Sequence, residues 1–482
     1  MPENYRPVSL TSHLIKLFER VLRKKLIKFI EENHLLSKNQ HAFRAGRSCL
    51  SQLLEHIEYV LQALINKKNI DVVYLDFAKA FDKVDHVTLM KKVEQFGIKG
   101  KLYEWIKNFL SDRKQQVLVE NNLSRKENVI SGVPQGTVLG PLLFLIYIND
   151  LEEATKNSIL RIFADDSKLV KEVQQRRDHE ELQNDLEAAI HWSNENNMEL
   201  NNSKFQLMQY GNDETLKEHY HISEDCTLSN EKDIKDLGVY ISDDASWRKQ
   251  LTEAIKKGRK FMGWILRSFK SRAPEVILQL YQAYVVPRME YASILWNPYL
   301  IGDIQKLESI QRTITSKIDG CEQMNYHQRL RKLKLYSMQR RRERFQAIYM
   351  YKIAKDLVPN NLNLEFYNTS RGGQKCRYPN MVGVAASHYS TVLQNFFSST
   401  GPAIYNKLPA KMKEADSLDS FKRQLDKYLS KIPDLPPTPG YASINNNTLL
   451  AWATGNYDYE QIMSTLAAQP ERGSAAASDR SC

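Results

Sequence analysis

Three stretches hold the side chains best suited to chemistry: Tyr74-Leu75-Asp76-Phe77-Ala78-Lys79-Ala80-Phe81-Asp82, Ser131-Gly132-Val133-Pro134-Gln135-Gly136 and Phe163-Ala164-Asp165-Asp166. Asp76 and the Asp165-Asp166 pair are carboxylates from distant parts of the chain. Hard divalent cations take oxygen ligands, and Mg²⁺ keeps positions free for substrate phosphates. Carboxylates of this kind can hold two cations ~3.5–4 Å apart for an in-line displacement at phosphorus. Such phosphoryl transfer asks little more of a protein than positioning and charge. An isolated Asp-Asp pair is weak evidence, because adjacent aspartates are common in turns. The combination of all three stretches is what carries the reading.

The elements around these residues suit that role. Val72 to Leu75 is a short apolar, β-branched run that reads as a buried strand, with Asp76 where it ends and a helix-like Lys79 to Val84 segment beyond. Leu160 to Phe163 and Lys168 to Val170 read as strands flanking a four-residue turn, Ala164 to Ser167, which would hold Asp165 and Asp166 at a hairpin tip. Alternation in an extended segment sends adjacent side chains to opposite faces. Asp76 and Asp165 are therefore expected as the principal ligands and Asp166 as a supporting member. Asp82 and Asp85 read as a helix-end residue and a solvated charge.

With these residues in place, the sequence resembles the reverse transcriptase of a non-LTR (LINE-type) retrotransposon, of the Jockey-like and chicken-repeat-like kind. Asn4 to Leu10 and Gln40 to Ser48 resemble the first and second fingers motifs, and Ser131 to Leu151 matches the family almost residue for residue. Trp192 with Asn197 to Lys204 fits the next palm motif, Asp236 to Val239 the primer-grip region, and Pro287 to Ala292 with Leu295 to Pro298 the thumb. Including Phe421 to Asp426, the likeness covers most of residues 2 to 435. It implies an α+β right-hand polymerase with fingers, a mixed α/β palm, a thumb and a mostly helical C-terminal region. The activity implied is an RNA-directed DNA polymerase, a nucleotidyltransferase that extends a primer 3′-hydroxyl on an RNA template with deoxynucleoside triphosphates and two Mg²⁺ ions, Mn²⁺ being a substitute.

The resemblance also implies roles for individual residues. Asp76, Phe77, Asp165 and Asp166 form the metal set. Phe81 would lie under the incoming sugar and exclude a 2′-hydroxyl; its bland reading is a core aromatic. Gln135 and Gly136 would form a tight turn against nucleotide or template, with glycine permitting close backbone approach. Arg44 and Arg47 suit triphosphate, since guanidinium pairs bidentately with phosphate, against the bland reading of surface arginines. Lys204 would be the general acid that protonates the leaving pyrophosphate.

Composition agrees with a polyanionic partner: 68 Lys+Arg stand against 57 Asp+Glu, net +11. The bases Arg329, Arg331, Lys332, Lys334, Arg340, Arg341, Arg342 and Arg344 concentrate in one stretch that helical spacing would leave on an exposed face, suited to tracking a nucleic-acid backbone or simply to solubility. Lys256-Lys257-Gly258-Arg259-Lys260 is similar, and either cluster could mimic a nuclear import signal; an intracellular and, by the resemblance, nuclear location is expected. No apolar run approaches the ~18 residues of a membrane span, so no membrane partner is expected. Five scattered cysteines argue against zinc knuckles and a disulfide framework. No ribonuclease H carboxylate set follows the thumb.

At 482 residues the chain exceeds the ~250–300 at which one core stops growing. The expected division is fingers and palm over 1–245, a helical thumb over 246–318, a basic helical region over 319–432 and a largely disordered Pro-, Ser- and Asn-rich tail over 433–482, in which Tyr441, Leu449, Leu450 and Trp452 could dock as a short motif. A leading fingers helix between Thr11 and Asn33 would bury Leu14, Leu17, Phe18, Val21, Leu22 and Ile30. Met1-Pro2-Glu3 enters directly into the first motif, whereas family members carry an upstream fingers segment and an endonuclease. The expectation is an N-terminally truncated element that needs its endonuclease from elsewhere. The alternative is a catalytically inactive nucleic-acid-binding remnant, which the intact Asp76, Asp165 and Asp166 argue against. A telomerase or maturase is a third reading, disfavoured because their specific insertions are not apparent.

Overall fold

A computed structural model of the chain describes residues 8–223, 225–362, 364–367, 381–383, 391–439 and 447–452. The first motif therefore lies partly outside the described residues, as does most of the expected tail. The chain forms two compact units, Met1–Leu237 and Gly238–Cys482.

The first unit is built on a four-stranded antiparallel sheet of β1 (Asn69–Leu75), β2 (Ile159–Phe163), β3 (Asp166–Val173) and β4 (Gln206–Tyr210), in the order β2-β3-β1-β4. Its helices are α1 (His13–Glu32), α2 (Cys49–Ile65), α3 (Ala80–Lys83), α4 (His86–Gln95), α5 (Gly100–Leu110), α6 (Gly140–Ile148), α7 (Leu151–Ala154) and α8 (Arg176–Glu195). β1 is central and buried along nearly its whole length, which is what its unbroken apolar run demands. α2 packs on β1 and β2, and α8 packs on β3, burying Leu182, Leu186, Ala189 and Trp192 at helical spacing. α6 is apolar on all sides and buried almost throughout. The longest apolar run of the chain is thus a core helix, and no described helix is long and apolar enough to cross a membrane.

α1 departs from expectation. Leu14, Leu17, Phe18 and Val21 are exposed, while Glu19, Leu26 and Ile30 are buried. The reason is polar: the fully buried Glu19 carboxylate accepts from Val138 N at 2.7 Å and Leu139 N at 2.9 Å, just before α6. The first N–H groups of a helix have no intrahelical partner, and a negative charge there also suits the helix dipole. That demand rotates α1 away from its hydrophobic stripe.

The second unit is mostly helical, with α9 (Arg248–Ser268), α10 (Pro274–Leu280), α11 (Val286–Glu290), α12 (Ile301–Thr315), α13 (Tyr326–Lys332) and α14 (Met338–Ala354), followed by shorter helices that include Phe397–Lys407 and Leu418–Leu429. The exposed basic face expected across residues 329–344 is corrected here. Arg329, Arg340 and Arg342 are buried. Arg341 makes a bidentate pair with Glu290, and Arg344 another with Asp426. Only Arg331, Lys332 and Lys334 of the eight remain exposed. α14 runs through the core of the unit: the Arg340 guanidinium donates to the Pro433 and Asn447 carbonyls, and that of Arg342 lies 5.7 Å from the centre of the Trp296 ring. Lys256, Lys257, Arg259 and Lys260 of α9 do lie outward.

Residues 433–438 and 447–450, within the stretch expected to be largely disordered, are packed. Asp434 accepts from Ser337 N and Oγ, both at 2.7 Å, and Asn447 Nδ2 donates to Asp434 Oδ1 at 2.7 Å. Leu435 and Asn447 are fully buried. Leu435, Leu449 and a short polar network dock a stretch whose composition reads as linker.

Candidate active site

Asp76 follows the last residue of β1, and Asp166 is the first residue of β3. Both line one cleft, together with Tyr74, Lys168, Lys204 and Asp236. The pairing register explains why: Tyr74 stands opposite Lys168 and Leu75 opposite Ser167, so alternation brings Tyr74, Asp76, Asp166 and Lys168 to one face.

The hairpin turn is tighter than the four residues expected. Phe163 pairs with Asp166, leaving Ala164-Asp165 as a two-residue loop with φ 57° at Ala164. Asp165 is half-buried in this turn while Asp166 is exposed. Of the two adjacent carboxylates, it is Asp166 that lines the cleft with Asp76. Gln40 braces the turn from the Gln40–Ser48 stretch. Its Oε1 accepts from Ala164 N at 3.1 Å and Ala42 N at 2.9 Å, and the side chain is buried.

Beyond β1 the chain is zipped to the Asn197–Lys204 segment. Asn201 N donates to Asp76 O and Ala78 N to Glu199 O, each at 2.8 Å. This brings Lys204 Nζ to 3.1 Å from Asp76 Oδ2. The Phe77 side chain points into the core, edge-on to Trp192 at 6.2 Å, so only its backbone oxygen is available as a ligand. Trp192 in turn donates to Asp150 at 3.1 Å, which also accepts from Lys92 at 2.7 Å.

The other expected residues sit as follows. Phe81 is half-buried, stacked on Phe144 at 4.3 Å and edge-on to Phe43 at 6.3 Å. Gln135 Nε2 donates to Asp82 Oδ1 at 3.0 Å, and Gln135 O accepts from Ser9 N at 2.8 Å. Asp82 is thus a brace for the Ser131–Gly136 loop, and Asp85 caps α4 through Thr88 N at 2.7 Å. Gly136 has φ 92°, and a Cβ there would lie 3.2 Å from Val8. Arg44 is bound on both sides of its fork by Glu31, at 2.8 and 2.6 Å, and by the Ser37 carbonyl at 2.6 Å. That hydrogen bond holds the Glu31 carboxyl below its ordinary range. Neither Arg44 nor Arg47, Phe81, Gln135 or Gly136 lines the cleft of Asp76 and Asp166.

Beneath the carboxylates lies a buried ion pair that the sequence reading missed. Lys168 Nζ bonds the Asp236 carboxylate, with the two side chains 3% and 6% exposed, and sits 5.5 Å from the centre of the Tyr74 ring. Burial pushes the Lys168 ammonium toward neutrality, and Asp236 opposes it. The strand period places Lys168 on the face of Asp166 and was legible; its partner, from a segment 68 residues away, was not. Among the described residues no three His, Cys, Asp or Glu side chains converge as a ready-made metal cage. The donor set still fits Mg²⁺, which is held by one or two carboxylates plus substrate oxygens rather than by an all-protein cage.

Residues 2–266 match the family model described as reverse transcriptase (RNA-dependent DNA polymerase). The chain is 28% identical over 331 residues to a probable RNA-directed DNA polymerase from transposon X-element of Drosophila melanogaster, covering 67% of this chain and 36% of that protein. It is 26% identical over 331 residues to the RNA-directed DNA polymerase from mobile element jockey of Drosophila funebris, covering 66% and 36%. To a probable RNA-directed DNA polymerase from transposon BS of Drosophila melanogaster it is 36% identical over 176 residues, covering 35% and 19%. The chain therefore spans about a third or less of the length of these relatives. With more than half its length matched and its carboxylates gathered at the ends of β1 and β3, the chain belongs to the reverse transcriptase family, in its non-LTR retrotransposon branch.

Proposed function

We infer that this chain is an RNA-directed DNA polymerase that adds deoxynucleotides to a primer 3′-hydroxyl on an RNA template. The observation that carries the reading is the shared cleft of Asp76 and Asp166, reached from two non-adjacent stretches, with Lys204 on Asp76. Residues 1–245 would be fingers and palm, 246–318 the thumb and 319–432 a helical extension. Two Mg²⁺ ions, or Mn²⁺ in their place, are assigned to Asp76, Asp165, Asp166 and the Phe77 backbone oxygen; when bound they supply charge neutralisation for phosphoryl transfer.

The chain's own residues do the rest. Lys204 is near enough to the metal-binding carboxylate to deliver a proton toward a departing pyrophosphate. Phe81 presents a ring backed by Phe144, stiff enough to select against a 2′-hydroxyl. The Ser131–Gly136 loop, tied to Asp82, offers Gln135 and the bare backbone of Gly136 to nucleotide or template. Arg47 is assigned to the triphosphate, because Arg44 is paired with the Glu31 carboxylate whereas Arg47 donates to the Lys38 carbonyl. RNA template, DNA primer and deoxynucleoside triphosphates are the proposed partners, with strand nicking supplied by an endonuclease domain or protein beyond these residues.

The test is extension of a labelled DNA primer on RNA and on DNA templates, with deoxynucleotides or ribonucleotides and with Mg²⁺ or a chelator. Metal-dependent DNA synthesis on RNA is expected. Duplex binding without synthesis by folded protein would instead favour an inactive remnant.

A further inference from the structure

Lys168 and Asp236 form a buried charge pair on the sheet face that carries the carboxylates. An ion pair this deep seldom adds net stability over apolar residues of similar size, so its location is more informative than its strength. Lys168 lies two residues after Asp166 on β3 and opposite Tyr74, which lies two residues before Asp76 on β1. Its ammonium ties the strand of Asp166 to the Asp233–Asp236 segment and lies over the Tyr74 ring. Asp166 opens the strand directly after the two-residue turn, where it pairs with Phe163.

We propose that Lys168, held by Asp236, is a positioning residue that fixes Asp166 for divalent-cation binding. The proposal rests on the polymerase reading for its purpose but not for its test. Loss of the tether lets β3 shift at its first residue, and a misplaced carboxylate loses both cation affinity and turnover. Lys168 and Asp236 are engaged with each other, and neither is assigned to the cation or the nucleotide.

The experiment titrates Mn²⁺ by electron paramagnetic resonance into the full chain, its Asp166→Asn variant and the apolar pair Lys168→Met/Asp236→Leu. Melting temperature and primer–template binding are measured on each, and kcat and KM for deoxynucleotide are measured where extension occurs. Asp166→Asn defines the site by losing a Mn²⁺ equivalent. The apolar pair is expected to bind duplex like the parent, to weaken that Mn²⁺ site at least 5-fold and to lower kcat at least 10-fold with KM little changed. Lys168→Arg, which keeps charge and tether, should recover most of both. If the apolar pair does not fold, Asp236→Asn replaces it with an expected loss of at least 3-fold in Mn²⁺ affinity. Parental Mn²⁺ affinity in the folded variants, or no Asp166-dependent Mn²⁺ site in the parent, overturns the proposal. A Mn²⁺ site that responds as expected in a chain that makes no DNA would sink the polymerase reading alone.

Discussion

Phe81 stacks on Phe144 and meets Phe43 edge-on, yet stays half-buried. Core packing and sugar selection therefore do not exclude each other at this residue. Phe81→Ala is expected to raise ribonucleotide incorporation relative to deoxynucleotide by ~10–100-fold, the range for size discrimination by an apolar wall. Unchanged sugar preference in competition assays would leave the ring a packing role only. Arg44 and Arg47 separate in the same way. Arg44→Ala strands the Glu31 carboxylate and the Ser37 carbonyl, so it should lower stability by ~1–3 kcal/mol in urea unfolding. Arg47→Ala should chiefly raise KM for the nucleotide; the reverse pattern would put Arg44 on the triphosphate.

Elements were legible in proportion to how local their causes are. The apolar run before Asp76 announced β1. The orientation of α1 was not legible, because the buried Glu19 answers to backbone N–H groups of residues 138 and 139. The exposed basic face assigned to α14 failed similarly, since Glu290 and Asp426 lie far away in sequence. The Ser131–Gly136 loop is the element most sensitive to a small change. Gly132 has φ 85°, and a Cβ there would stand 2.8 Å from Asp82 O and 2.9 Å from Asp82 Cα, both backbone atoms. Gly132→Ala should therefore cost at least ~1–3 kcal/mol of stability and reduce extension by displacing Gln135. A melting temperature matching the parent would show that the loop tolerates the side chain.

On the scale of the whole molecule, the second unit carries a pH dependence of its own. Burial pushes the carboxyls of Glu308 and Glu343 up to about 7. Tyr326 and Gln339 N bind Glu308, and Arg340 and Leu449 N face Glu343, all pulling the other way; Asp434 adds to the rise at both. An unfolded chain releases these protons near pH 4.5, whereas the folded chain holds them to about 7. Stability of this unit therefore falls as pH rises through that window and levels off above it. The expected loss is roughly 3 kcal/mol for each carboxyl, read as a falling melting temperature between pH 5 and 7.5. Glu308→Gln/Glu343→Gln should flatten the slope; an unchanged slope would place its origin elsewhere.

The cleft of Asp76 and Asp166 is the claim on which the functional reading turns. It is tested most directly by primer extension on an RNA template with deoxynucleotides and Mg²⁺, comparing the parent chain with Asp76→Asn, Asp165→Asn and Asp166→Asn. The expected result is synthesis by the parent and its loss by roughly 10²–10³-fold or more in each of the three variants, with duplex binding retained in all. Synthesis that survives Asp76→Asn in a folded chain, or no synthesis by a folded, duplex-binding parent, would contradict it.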